Sequence, residues 1–591
     1  MQEKLLTALL VLFIMLASLL YFIDPDLLVP EPGLAPGHVA FADTVSQLPE
    51  KQPPPVFNNR PTVVSGFDWQ LPAKTPSTPY SGLVDEIGEP SSYATVAFVM
   101  LRWDQLNPAK NRFDFSSLDS ALQASHNKKL LIRLEVNSAC EAPRWALKQL
   151  RSSKKKSLIF WDSQYAELLK PLINAFAKKY AANQRISGVQ LGIGDGEYNG
   201  SCSEFSHKDG WGEFWMSDKE LAEAEDKFGL NPALFYKSTK QIIDIYANAF
   251  GKYKRKLAFT NLDPYFSWGD RSLKYDKLMP GIARYVLDKG LGNRDGEVEV
   301  WMRYLYDTYG VYFKKHADNT CSLGMDESFA NKIKGRYWGT ENEFYGNEDY
   351  ILDYGGPRKN QPYRFMVSSL RALQMRRNHI MIHSTGMVGL HHPVFKTQPF
   401  MRYLAKTLGK QMGDTPDAFI LLGERYIKAD RVEGYSDSGE ACINNNKIAV
   451  RSFGRWLTEK SNSRPALRIN MPENEKRWGQ GANLPDGISY EYSARKGNKF
   501  SFDLNNQLVK ARCSQGCKAT IKITFKDTHA ASMSLKLAEG KTSPYKTRGD
   551  GQIKTVSFKV QTTFNDGKGN DFILRMEKEM PVIMARVVFS K

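Results

Sequence analysis

From residue 63 to about residue 425 the sequence alternates two kinds of segment. Short apolar runs of strand length are followed by longer runs whose apolar residues recur at spacings of three and four. Residues 93–101 (YATVAFVML), 129–136 (KLLIRLEV), 188–193, 256–262 (KLAFTNL), 334–340 (KGRYWGT) and 379–384 (HIMIHS) read as strands. Residues 115–126, 165–181, 232–250, 282–289 and 361–377 read as helices. Strands that alternate with helices must form a parallel sheet, because each crossover helix covers a sheet face. The number and length of these units predict a (β/α)8 TIM barrel with large loops over residues 62–430. A doubly wound sheet fits less well, since no Gly-rich phosphate turn follows the first strand.

After residue 430 the helical periodicity stops. Residues 488–496, 499–505, 518–527, 532–539, 554–561, 571–577 and 582–590 alternate polar and apolar side chains between Gly, Asn, Asp and Pro breaks. This predicts an antiparallel β-sandwich of jelly-roll type over 431–591. The formal charge of +17 is concentrated here, with 28 Lys and Arg against 16 Asp and Glu in 431–591. Such an excess fits an anionic polysaccharide or the anionic membrane surface. Nothing in its pattern suggests a nucleic-acid-binding module.

The amino-terminal end sets the expected compartment. Residues 5–23 (LLTALLVLFIMLASLLYFI) carry no charge and are long enough to span a bilayer. Lys4 precedes them, and Asp24 and Asp26 follow, which leaves the N-terminus in the cytoplasm. Residues 1–23 are therefore expected to be a membrane anchor, or a signal segment if the Ala40-Phe41-Ala42 site is cut. Residues 24–61 are rich in proline and read as an extended linker. The rest of the chain is expected outside the cytoplasm, held at the inner membrane facing the periplasm or secreted. Six cysteines suit an oxidising compartment. Cys513 and Cys517 could close a small loop, and Cys140 and Cys202 could staple two others, although spacing does not fix the pairing.

The chemistry-bearing stretch is 188–200, GVQLGIGDGEYNG. It begins as a strand and breaks into glycines around Asp195, Glu197, Tyr198 and Asn199. That places Glu197 in the loop after a strand, where a parallel barrel carries its reactive groups. A second acid, Glu341, follows the run KGRYWGT, with Glu343 two residues further on. Two carboxyl groups from strand ends on one barrel face are what glycosidic bond cleavage needs: one protonates the leaving oxygen, the other attacks the anomeric carbon or activates water. Trp103, Trp145, Asn261, Asp263 and His383 fall near other strand ends and complete a candidate sugar-binding set. Trp338, three residues before Glu341, should point the opposite way, into the core. Glu135 is expected to form an ion pair with an arginine, and Arg294, Asp295, Glu297 and Glu299 a solvated loop or strand end. No metal-ligand motif and no cofactor motif is present.

The motifs Leu101-Arg102-Trp103-Asp104-Gln105-Leu106-Asn107-Pro108, then Asn111-Arg112-Phe113-Asp114-Phe115, then Ala142-Pro143-Arg144-Trp145, occur in the order found in clan A glycoside hydrolases. The region 90–425 resembles the family 42 β-galactosidase-like members of that clan. In the clan the acid/base ends strand four and the nucleophile ends strand seven. The resemblance therefore implies Glu197 as acid/base, Glu341 as nucleophile and retention of configuration. The sequence departs from the clan at Gly196, where an Asn is usual. An inactive barrel that binds polysaccharide or serves envelope assembly is the alternative. A lyase using Tyr198 and His207 lacks a coherent residue set. The expected partner is a carbohydrate.

Overall fold

The computed structural model describes residues 60–85, 92–125, 127–154, 156–193, 202, 218–260, 273–294, 309–317, 319–342, 361–382, 396–428, 442–444, 447–460, 464–466, 494–564 and 569–590. Eight parallel strands close a barrel. They are β1 (Gly82–Asp85), β2 (Val96–Arg102), β3 (Lys129–Glu135), β4 (Ile186–Leu191), β5 (Leu257–Thr260), β6 (Gly292–Arg294), β7 (Trp338–Asn342) and β8 (His379–Ile382). The ring closes where β8 pairs β1, His379 opposite Gly82 and Ile382 opposite Asp85. β1 (GLVD) and β6 (GNR) hold two and no apolar side chains, too few to stand out as an apolar run. The run at 93–101 is consequently the second strand of the barrel, not the first. β7 begins at Trp338 rather than Lys334, because Gly335 takes a left-handed φ of 74° and turns the chain after helix Glu327–Ile333.

The helices that cover the barrel are set by their caps. Asp162 accepts the Gln164 amide at 3.1 Å and starts helix Ser163–Tyr180. Asn231 accepts the Leu234 amide at 2.9 Å and starts Pro232–Phe250, whose first residue is a proline suited to that position. Their apolar stripes, including Leu169, Leu172, Phe176, Ile242 and Tyr246, pack on the outer faces of β3, β4 and β5.

Strand pairing, not chain order, sorts the remaining strands. Among the described residues fifteen join one mostly antiparallel sheet. Thr62–Ser65 pairs with Ile553–Thr562, and Asp417–Lys428 pairs with Phe572–Phe589. Both segments had been expected in the barrel. The hairpin Val311–Lys315/Cys321–Met325, which leaves the barrel between β6 and β7, joins the same sheet by parallel pairing with Lys447–Arg455. Phe572–Phe589 is one strand of 18 residues instead of the two expected, with Pro581 lying opposite Lys496. Helix Asn506–Cys513 also interrupts a region expected to lack helices. Asn505 caps it by accepting the Gln507 and Leu508 amides, and Leu508 and Val509 are buried. Three disulfides link Cys140 to Cys202, Cys321 to Cys442 and Cys513 to Cys517. Among the described residues no helix is long and apolar enough to cross a membrane. The apolar segment 5–23 and nearly all of the proline-rich stretch lie outside the described residues.

Barrel helices and sheet share an apolar core in which Trp69, Phe400, Tyr403, Leu421 and Ile583 meet. Within it lies a buried charge cluster. Asp417 accepts from Arg455 Nη2 at 2.9 Å, from Arg586 Nη2 at 2.9 Å and from the Tyr403 hydroxyl at 3.0 Å.

Inside the barrel, burial pushes the His379 imidazole down to about 3, and Lys129 adds to the effect. A histidine whose folded pKa lies below its unfolded value near 6.5 binds fewer protons folded than unfolded between those values. Stability from this group is therefore full above pH 6.5 and is lost as pH falls toward 3. The expected slope is about 1.4 kcal/mol per pH unit between pH 6 and 4. His379→Phe, which keeps a ring against Tyr337 at the stacking distance of 4.2 Å, should unfold with a shallower acid dependence than the parent by that amount. Urea unfolding at pH 7, 5 and 4 checks this; equal slopes in parent and variant would contradict it.

Candidate active site

The barrel interior changes character along its axis. Toward the N-terminal ends of the strands, Val84, Val96, Phe98, Leu131, Ala258, Met381 and the ring of Tyr337 form an apolar plug. Glycines make room for that ring: a Cβ at Gly188 would stand 2.4 Å from Tyr337 Cδ2, and one at Gly339 would stand 2.5 Å from Cε1. Two residues further along the same strands the inward positions become Arg133, Thr260 and Glu341, since side chains alternate faces along a strand. Gln190 and Arg294 line the intervening strands, Arg294 on β6 opposite Gly339 of β7. The interior thus turns from apolar to polar toward the C-terminal mouth.

Glu341 is the fourth residue of β7 and is buried. Its Oε2 accepts a charge-assisted hydrogen bond from Arg294 Nη2, and Oε1 has no hydrogen-bond partner among the described residues. Its neighbours point away, as strand alternation requires. The Asn342 amide donates to the Ser368 and Ser369 hydroxyls at 2.9 and 3.0 Å, on the helical side. Trp338 lies in the outer core, edge-on to Phe329 at 5.8 Å, in the orientation expected for it.

Glu135 ends β3, and its carboxylate meets Arg133 Nε at 2.6 Å, the arginine pair expected from the sequence. Burial raises the Glu135 carboxyl above the usual range, with Arg133 and a hydrogen bond with Glu141 opposing the rise. The loop beyond β3 is braced to the end of β2. Arg102 Nη2 donates to the Cys140 carbonyl at 2.8 Å, and the Asp104 amide to the Glu141 carbonyl at 2.7 Å. Through Cys140–Cys202 the same loop is tied to the connection after β4, the connection that contains Glu197.

Of the two expected sugar-binding tryptophans among the described residues, Trp103 has another role. Trp103 is fully buried in the apolar core, edge-on to Tyr165 at 6.1 Å, so protein covers its faces. Trp145 is half-buried, and its indole N–H donates to the Asn107 carbonyl at 2.9 Å. The Asn107 amide in turn closes the 107–112 turn on Ala109 and Arg112 carbonyls at 2.8 Å. Trp103 therefore offers no free ring, whereas the half-buried Trp145 is anchored to the 107–112 turn by its N–H edge. Arg294, read as part of a solvated run, is buried inside the barrel as the partner of Glu341. Asp195, Glu197, Tyr198, Asn199, Asn261, Asp263, Glu343 and His383 lie outside the described residues. Arg133, Gln190, Thr260 and Arg294 were not singled out as site residues from sequence. Their only signal was period-two placement on strands, which identifies a face but not whether it looks inward. No cluster of metal-ligating side chains occurs among the described residues.

No protein-family model matches the chain, and no curated protein matches it. Solved structures similar to it include a β-galactosidase from the psychrophilic Marinomonas ef1, at 10% identity and a TM-score of 0.25, over 49% of this chain and 49% of that one. They also include xylanase 10B from Thermotoga petrophila RKU-1, in complex with xylobiose, at 9% identity and a TM-score of 0.25, over 49% of this chain and 73% of that one. A third is endo-glycoceramidase II from a Rhodococcus species, at 7% identity and a TM-score of 0.25, over 79% of this chain and 89% of that one. The chain spans about half the length of that β-galactosidase. The barrel assignment rests on strand order and register.

Proposed function

We propose that the protein is an exported glycoside hydrolase acting on a polysaccharide or oligosaccharide, with Glu341 as nucleophile and Glu197 as acid/base. The observation that carries this reading is the position of Glu341 on the seventh strand of a closed barrel, facing inward. The segment leading to Glu197 continues from the fourth strand. These are the strands on which the clan A resemblance expects the two acids.

The surroundings of Glu341 suit the nucleophile's part. Arg294 occupies one carboxylate oxygen and leaves Oε1 without a hydrogen-bond partner among the described residues. In the proposed cycle Glu197 protonates the glycosidic oxygen as Glu341 attacks the anomeric carbon. The C–O bond to the leaving sugar breaks and a glycosyl ester forms on Glu341. Glu197, now a carboxylate, takes a proton from water, which displaces Glu341 and restores the starting configuration. Family 42 kinship belongs to the same proposal. Export is supported by the three disulfides, which suit an oxidising compartment, and by the uncharged segment 5–23.

The test is the anomeric configuration of the first product, followed by proton NMR on a substrate the protein cleaves. Retention is expected. Inversion would remove Glu341 from the nucleophile's role.

A further inference from the structure

The opposite mouth of the barrel holds a cluster of cations that the proposed reaction does not use. Lys129 is the first residue of β3, and Lys256 immediately precedes β5. Both occupy inward positions one step below the apolar plug, on the same strand faces as Leu131 and Ala258. The chain before β1 bends through Tyr80, whose φ is 62°, and lays its ring beneath both ammonium groups. Lys129 Nζ lies 4.2 Å and Lys256 Nζ 5.9 Å from the Tyr80 ring centre. Lys256 is only 9% exposed. Its Nζ donates to the Asn183 carbonyl at 2.6 Å and lies 6.0 Å from the ring of Tyr253. Arg255 follows Lys252 and Lys254 in the basic turn GKYKRK before β5.

Among the described residues ion pairs do not balance this charge. Among the described residues no carboxylate pairs with Lys129, Lys256 or Arg255. The nearby Asp85 carboxylate is taken by Lys128 at 2.5 Å. Arg185 spends its donors on the Leu122 and Lys128 carbonyls and the Ser125 hydroxyl. His379, the titratable group facing the lysines from inside the barrel, is held neutral by burial. Tyr80 and Tyr253 supply ring faces but no charge. Burial, then Arg255 and Lys129, push the Lys256 ammonium down to about 8, and burial lowers Lys129 also. Two ammonium groups that share one tyrosine ring, partly desolvated and without a carboxylate partner among the described residues, repel one another. A small anion between them would relieve that repulsion and bring hydrogen-bond acceptors to lysine donors.

We propose that the N-terminal mouth of the barrel is a binding site for a small oxyanion of phosphate or sulfate type, held by the Lys129 and Lys256 ammonium groups that Tyr80 positions, with Arg255 adding to the attraction. The bound anion joins the starts of β3 and β5 to the segment before β1. It is separate from the acidic site at the C-terminal mouth and is independent of the reaction proposed there.

The test is calorimetric titration of the full chain with sodium phosphate or sodium sulfate at constant ionic strength, paired with thermal unfolding over the same concentrations. One saturable site per chain is expected. Because an anion favours protonated lysine, binding should take up protons near pH 8, measurable as a buffer-dependent enthalpy. Affinity should also fall as pH rises from 7 to 9, approaching tenfold per unit above pH 8. Lys256→Met and Lys129→Met should each lower the affinity at least tenfold. Lys332→Met, on the exposed side of helix Glu327–Ile333, should bind as the parent does. Absence of saturable binding at constant ionic strength would overturn the proposal. So would unchanged affinity in both Lys256→Met and Lys129→Met. If one variant does not fold, the other carries the test.

Discussion

Glu341→Gln is expected to lower kcat/KM by about 10³–10⁵-fold on any glycoside the parent cleaves, because a neutral amide cannot form the glycosyl ester. The same change should also destabilise the fold. Arg294 is buried beside Glu341, and removing one member of a buried pair strands the other charge, at a cost of about 3–5 kcal/mol. The two effects separate in a double variant. Glu341→Gln with Arg294→Gln removes both charges together, so much of the stability should return while activity stays lost. Turnover and thermal unfolding of the parent, the single variants and the double variant check this. Recovery of activity in the double variant would show that Glu341 acts through folding alone. Full activity in Glu341→Gln would remove it from the chemistry.

Asp417→Asn should be among the most damaging substitutions outside the site. Asp417 is completely buried and binds two guanidinium groups, Arg455 and Arg586, together with the Tyr403 hydroxyl. Asparagine has the same shape but no charge, so two buried arginines lose their shared counter-ion. A loss of about 3–5 kcal/mol is expected. Tyr403 belongs to helix Thr397–Thr407 and Arg586 to the long sheet strand, so the loss falls where barrel helix and sheet meet. Asp119→Asn is the control. Its pair with Lys179 spans 2.8 Å, but both side chains are nearly half exposed, at 46% and 47%, and exposed pairs contribute about 0–1 kcal/mol. Comparable destabilisation by the two substitutions would contradict the assignment.

What the sequence disclosed, and what it hid, follows from the range of each interaction. Lys129–Glu135 and Pro232–Phe250 were readable because their signals are local: a continuous apolar run, and an Asn-Pro helix start followed by a stripe at helical spacing. Gly82–Asp85 and Gly292–Arg294 were not, since GLVD and GNR hold too few apolar residues to stand out as a run and exist as strands only through their neighbours in the ring. Sheet membership was hidden for a related reason. Thr62–Ser65 finds its partner in Lys554–Ser557, almost the whole chain away, and no local pattern records such a pairing. At the site, the face of Glu341 could be read from strand alternation, as the opposed Trp338 shows. Its partner could not: Arg294 sits in a charged run that resembles a solvated loop until barrel closure turns it inward. Trp103 shows the converse, a large aromatic near a strand end that the core needs more than a ligand does.

The most direct test of the central claim is release of reducing ends from a panel of neutral and uronic-acid polysaccharides by the parent protein and by Glu197→Gln. The account predicts release from at least one polymer by the parent. In the variant it predicts a loss of about 10²-fold or more with natural leaving groups, and a much smaller loss with an activated aryl glycoside that needs no proton donor. Binding without release by the parent across the panel would contradict it, as would a Glu197→Gln variant that cleaves the polymer as fast as the parent.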